Sequence, residues 1–99
     1  MHEGLSAHMR DLLVSDVKKI ELLKALSDGK VHTYYRLSKI VGTNYDTVKK
    51  NCRFLELLNF VEISRIEKEE SASGVASYRV KITEKGLEAT MNFLKAKNY

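Results

Sequence analysis

Lys50 and Arg53 stand on one side of a run from Thr43 to Val61 whose other side is apolar, and this division carries the chain's clearest chemistry. Val48, Cys52 and Leu55 recur at i, i+4 and i+7, the spacing that stacks three side chains on one face of an α-helix. With a step of about 100° per residue, Asp46, Lys50, Arg53 and Phe54 fall almost opposite them, flanked by Thr47 and Lys49. A helix with one dry face and a cationic, hydrogen-bonding outer face can lie in the major groove of a duplex. An ordinary amphipathic surface helix, with lysines for solubility, has the same pattern. This stretch alone does not separate the two.

Other reactive groups point nowhere. Cys52 belongs to the dry face, where a thiol ionises poorly and serves as packing. As the single cysteine it excludes an internal disulfide framework and any all-cysteine metal site, and an intracellular, reduced setting fits. His2, His8 and His32 have no metal-ligand spacing with it or with a carboxylate pair. No Ser/His/Asp set, glycine-rich phosphate loop or paired carboxylates is present, so catalysis is rejected. Nothing marks a cofactor or small-molecule site.

The helix must be held by a small fold. Ninety-nine residues, 43% of them apolar, make one folded domain with one modest core. No apolar run approaches the ~20 residues of a membrane span, and the beginning of the chain is too charged for a signal peptide. The net charge of +4 is unevenly spread. Residues 1–29 hold four bases and five acids, residues 30–60 six bases and two acids, and residues 61–99 seven bases and six acids. The middle third therefore holds the excess, where counterion release would favour phosphate.

In chain order, residues 1–14 form an N-terminal arm or helix, with Leu5, Met9, Leu12 and Leu13 at helical spacing. Ser15 can cap a helix to about Ser27, with Val17, Ile20, Leu23 and Leu26 inward and Lys18, Lys19, Glu21 and Lys24 toward water. Asp28-Gly29 ends it, and residues 30–32 are a brief extended piece. Thr33 caps a compact helix from Tyr34 to Val41, with Leu37, Ile40 and Val41 inward, and Gly42 closes it. Asn44 or Thr43 caps the helix described above, and Asn59 can stop it with positive φ. Two helices joined by so tight a turn make a helix-turn-helix. The period then changes to two: Val61 and Ile63, and later Tyr78, Val80 and Ile82, alternate with polar residues on either side of a loose tip. Ile66 breaks the alternation and predicts a bulge or early fraying. Thr83 caps a last helix over residues 84–99, with Leu87, Met91 and Leu94 as its stripe.

This order is α+β, mostly α: a winged helix-turn-helix spanning 15–83, a β-hairpin wing, and a C-terminal dimerisation helix over 84–99. The residues resemble the same superfamily. Asn44, Thr47, Val48, Cys52, Leu55, Asn59, Phe60 and Val61 are similar to the pattern S-x-x-T-V-x-x-x-L-x-x-L-x-x-x-G-L-V of metal-sensor and multidrug-resistance regulators. Asn44-Tyr45, and the run of Tyr78, Val80, Ile82, Thr83, Glu84, Lys85 and Gly86, resemble small archaeal winged-helix regulators and their relatives in archaeal viruses. Asn59 stands where those families have Gly, and Cys52 where they have Leu. The clustered ligands of the metal-sensing branch are missing.

The resemblance implies a transcriptional regulator, a repressor by the commoner expectation, working on double-stranded DNA in the cytoplasm at the nucleoid. Asn44, Tyr45, Thr47, Lys49, Lys50 and Arg53 would then be the groove-facing set. Lys and Arg would meet phosphates or guanine edges, Asn44 a phosphate or base edge, and Thr47 a thymine methyl or phosphate. Asp46 repels phosphate, so it either reads a cytosine amino group or caps, capping being the commoner role. In the wing, Arg65, Lys68, Ser71, Ser73 and Arg79 are candidates, although Glu67, Glu69 and Glu70 oppose them. Leu5, Met9, Leu12, Leu87, Met91 and Leu94 exceed what a three-helix core covers, which predicts a two-fold homodimer with reading helices ~34 Å apart, packing back on the same domain being the alternative. The other classes open to this sequence are a protein–protein module using Tyr45, Phe54 and Leu57, and an RNA-binding protein.

Overall fold

Three turns with positive φ set the boundaries of the helices. The computed structural model describes residues 16–67 and 77–97. The N-terminal arm with Leu5, Met9, Leu12 and Leu13, the Ser15 cap, and Lys68, Ser71 and Ser73 of the wing tip lie outside the described residues. Helix α1 is described over 16–26, followed by β1 (His32–Thr33), α2 (Tyr34–Val41), α3 (Tyr45–Leu57), β2 (Val61–Ile66), β3 (Ser77–Ile82) and α4 (Glu84–Lys97). Gly29 and Gly42 adopt φ of 77° and 73°, and Asn59, the only non-glycine with positive φ among the described residues, adopts 62°. Asn is the side chain that best tolerates that region, because its short amide bonds locally.

Each helix that carries the site has its ends satisfied by its own sequence. Thr33 caps α2 by accepting from Arg36 N at 3.1 Å. Asn44 rather than Thr43 caps α3, its Oδ1 accepting from Thr47 N at 2.8 Å. At the far end, Phe60 N donates to Leu55 O at 3.0 Å and Asn59 N to Glu56 O at 2.9 Å, the paired bonds of a Schellman-type stop. Asp28 accepts from Lys30 N at 2.8 Å and lies 3.0 Å from Nε2 of buried His32. The Lys30 amide, and then His32, hold its carboxyl below the usual range.

The sheet is antiparallel with strand order β1-β3-β2. Val61 pairs with Ile82, Ile63 with Val80 and Arg65 with Tyr78, so this alternate set faces the helices while Glu62, Ser64, Arg79 and Lys81 face away. The ladder runs in register to Ile66 opposite Ser77. The bulge expected at Ile66 is therefore not formed; backbone pairing tolerates a half-buried isoleucine on the outer face.

Leu22, Leu26, Leu37, Val48, Cys52 and Val80 are fully buried, with Tyr34, Leu55 and Val61 close behind. Burial of one such aliphatic side chain stabilises the fold by about 1.5–3 kcal/mol. Two expected stripes are rotated. In α1, Leu22 is buried and Val17 is exposed, because the helix turns Leu22, Leu23 and Leu26 inward. In α2, Ile40 is half exposed, and Tyr34 and Ser38 take the inward places beside Leu37. Lys19, expected to face water, lies over the Phe54 ring at 5.1 Å and pairs with Asp16 at 3.3 Å.

The first turn of α4 is sewn to the end of α3. Thr83 N donates to Phe60 O at 2.9 Å, and its hydroxyl donates to Asn59 O at 2.6 Å while accepting from Gly86 N at 3.0 Å. Gly86 is buried against the same corner. A Cβ there would overlap the Phe60 carbonyl and lie 2.8 Å from Ile82 Cγ1. The Thr-Glu-Lys-Gly run is thus a backbone-to-backbone docking device.

Candidate nucleic-acid interface

Helix α3 turns Val48, Cys52 and Leu55 into the core, and its outer line is Asp46, Lys50, Arg53 and Leu57. All four outer residues are exposed. Tyr45 and Lys49 occupy the flank toward the wing, Thr47 and Phe54 the opposite one. Tyr45 keeps 42% of its surface exposed, Lys50 is open to solvent, and Thr47 and Lys49 are half-buried. Of the expected groove-facing set, Lys50 and Arg53 therefore share the outer face, Tyr45 and Lys49 lie on one flank and Thr47 on the other, with Asn44 at the head of the helix.

Two of its members have part of their hydrogen-bonding capacity committed inward. Asn44 spends its amide oxygen on the cap and retains its Nδ2 donors. Thr47 gives its backbone N–H to that cap and its carbonyl to Asn51 Nδ2 at 2.8 Å. Burial pushes the Cys52 thiol up to about 12, so it stays neutral behind the helix.

The wing candidates separate. Arg65 lies at the wing root, where Nε pairs with Glu67 at 3.4 Å and the guanidinium sits 5.8 Å from the Tyr78 ring centroid. Arg79 is exposed on the outer face of the sheet, so the sheet stands between it and α3. Neither joins the α3 set.

Sequence reasoning missed an aromatic group beneath the site. Tyr34 stacks on Tyr78 with centroids 5.2 Å apart and an angle of 20°, and meets Tyr45 edge-on at 5.6 Å and 79°. Tyr34 is almost wholly buried, and that burial, then the neighbouring Cys52, pushes its hydroxyl up to about 12. A faint signal was available, since Tyr34 and Tyr45 each follow a capping residue and so occupy matching first positions of α2 and α3.

The predicted interface residues of α4 are unequal. Leu87 is half-buried against the core, whereas Met91 is 62% exposed and Leu94 is exposed. Nearby, Ile20, Leu23, Phe54, Leu58, Phe60 and Phe93 line an open cavity of about 280 Å³ between α1, the end of α3 and α4. Among the described residues no helix is long and apolar enough to cross a membrane, and no cluster of His, Cys, Asp or Glu could hold a metal ion.

No protein-family model matches the sequence, and no curated protein matches it. Solved structures do. The transcriptional regulator homologue protein from Pyrococcus horikoshii OT3 aligns over 94% of this chain and 88% of its own, with a TM-score of 0.69 and 17% identity. ZitR of Lactococcus lactis in apo form aligns over 97% of this chain and 68% of its own, with a TM-score of 0.65 and 14% identity. FabT of Streptococcus pneumoniae, solved in complex with DNA, aligns over 97% and 75%, with a TM-score of 0.60 and 19% identity. Likeness at these identities establishes the winged helix-turn-helix fold.

Proposed function

We propose that the chain is a transcriptional regulator that binds double-stranded DNA by inserting α3 into the major groove, as a homodimer on an inverted repeat. One observation carries the proposal: the face of α3 opposite Val48, Cys52 and Leu55 is open and presents Lys50 and Arg53, with Tyr45 partly exposed on its flank. Of the structural neighbours, FabT was solved in complex with DNA, which supports the same use of this fold. Lys50 and Arg53 neutralise phosphates or read guanine edges, Lys49 assists from the flank, and Thr47 and the Asn44 Nδ2 donors meet the backbone or a base edge. Exposed Met91 and Leu94 on α4, with Leu5, Met9 and Leu12 of the arm, supply the two-fold contact, and Leu87 contributes from its half-buried place. Occupancy of an operator, in the cytoplasm at the nucleoid, acts by blocking or recruiting the transcription machinery, repression being the commoner outcome. The kinship to small archaeal and archaeal-virus regulators rests on Asn44-Tyr45 and the Tyr78-to-Gly86 run alone.

Affinity for duplex DNA against salt tests the proposal. Log K falls by about 0.9 per neutralised phosphate for each unit of log[salt], and Lys50→Ala lowers that slope by ~1. A second reading, a protein-binding module, takes support from Phe54, 45% exposed where it lines the cavity, and from Leu57, 80% exposed on the outer line of α3. It predicts a nearly salt-independent affinity for a protein partner and no duplex binding.

A further inference from the structure

Four side chains from separate segments form one continuous series. It starts with Arg65 on β2, passes to Tyr78 on β3 at 5.8 Å, to Tyr34 at the start of α2 at 5.2 Å, and to Tyr45 at the start of α3 at 5.6 Å. The ends are solvent-facing and the middle is closed: Arg65 and Tyr45 are exposed, whereas Tyr34 is 2% exposed. The two ends belong to the two elements that this fold presents outward, the root of the wing and the first turn of α3. Glu67 completes the wing end by pairing with Arg65.

We propose that Tyr34 is a positioning residue that couples the wing root to the first turn of α3, so that the contacts of the wing set the pose of Tyr45. The inference rests on the duplex-binding proposal for its consequence, but not for its mechanics. A ring packed at protein-interior density cannot shift alone, and Tyr34 has one neighbour on its face and another at its edge. Displacing Tyr78 therefore displaces Tyr34, and Tyr34 bears on Tyr45 at the residue just after the Asn44 cap. Arg65, a candidate phosphate contact by composition, instead serves as the outer handle of the series. Its guanidinium is occupied by an aromatic face and a carboxylate. The wing and α3 then read DNA as one unit rather than as two independent contacts.

The test uses the full chain with its tyrosine rings labelled for NMR, free and with duplex. Arg65→Ala shifts the ring signals of Tyr45, although two rings stand between them. Tyr34→Phe keeps this response because the ring remains. Tyr78→Leu abolishes it, so that adding Arg65→Ala no longer moves Tyr45. On duplex DNA the combined effect of Arg65→Ala and Tyr45→Leu differs from the product of the single effects by about 2- to 10-fold, the equivalent of one aromatic contact. Tyr45 signals that stay fixed while those of Tyr78 move overturn the coupling, as does a response that survives Tyr78→Leu. Ring coupling that is present in a protein binding no duplex sinks the functional proposal and leaves the coupling standing.

Discussion

A pair of substitutions separates the cap that Asn44 forms from the duplex contact proposed for it. Its Oδ1 accepts from Thr47 N at 2.8 Å, with backbone angles of −84° and 163°, the geometry of a helix cap. Its Nδ2 donors remain for a phosphate or base edge. Asn44→Ala removes both, and loss of a cap costs about 1 kcal/mol. A domain of this size then melts roughly 4–8 °C lower. Asn44→Asp keeps the accepting oxygen and adds a charge that the positive end of α3 favours by roughly 0.3–1 kcal/mol, so the melting temperature is restored or exceeds that of the native chain. In the proposed binding mode the same carboxylate faces the phosphates of the duplex, so affinity falls at least as far as in Asn44→Ala. Thermal unfolding followed by circular dichroism, and fluorescence anisotropy with labelled duplex, give the two readouts. Stability and affinity must therefore part company in the aspartate variant. An Asn44→Asp protein that binds duplex as tightly as the native chain would refute the placement of Asn44 against DNA. One that melts with Asn44→Ala would refute the cap.

Three further outcomes are expected. Gly86→Ala gains about 0.5–1 kcal/mol of helix propensity but places a Cβ into the Phe60 carbonyl, and overpacking costs about 1–3 kcal/mol, so urea unfolding shows net destabilisation; a rise in the midpoint would mean that α4 docks elsewhere. Cys52 and Tyr34 hold their protons up to about 12, above ordinary values of 9 and 10, so the stability they contribute is complete below pH 9 and is lost between pH 9 and 12. Native protein therefore resists thiol alkylation at pH 8 and reacts on unfolding, and rapid native-state labelling would contradict the burial. Met91→Glu changes an exposed side chain, so folding stability stays within about 0.5 kcal/mol while sedimentation shows monomers; an intact dimer would move the interface off α4.

Elements whose signal is local were legible, and contacts between distant segments were not. The αL stop at Asn59, the caps at Thr33 and Thr83, and the buried stripe of Val48, Cys52 and Leu55 each follow from a few adjacent residues. Ile40 and Val17 failed for the opposite reason: in short helices several apolar residues compete for one inward face, and the neighbouring elements choose among them. Sequence spacing admits Leu22 as well as Val17, and only packing places Leu22 at the centre. The tyrosine series was out of reach because Tyr34, Tyr45 and Tyr78 meet only after the sheet and the helix-turn-helix have folded together. Gly86 was visible as part of a motif, but its reason, a carbonyl from the end of α3, was not.

Helix α3 is held at its two ends by different parts of the protein, and this bears on how two copies would be spaced. At its start, Tyr45 rests on Tyr34 and through it on the wing strand. At its end, Asn59 and Phe60 offer their carbonyls to Thr83, and Gly86 allows α4 to close onto the same corner. A shift of α4 therefore reaches the C-terminal end of α3 through backbone hydrogen bonds, while a shift of the wing reaches its N-terminal end through stacked rings. In a dimer joined through Met91 and Leu94, the contact lies on the helix that fixes the C-terminal end of α3 in each copy. The distance between the two reading helices is then set by α4, and the tilt of each in its groove by the wing. A substitution at the α4 contact that preserves the dimer should change the preferred half-site separation and leave the half-site sequence unaltered. Substitutions along the tyrosine series should do the reverse, and selection from random duplexes with each variant distinguishes the two. A single class of change from both would show that α3 moves as a free rod, with neither end held.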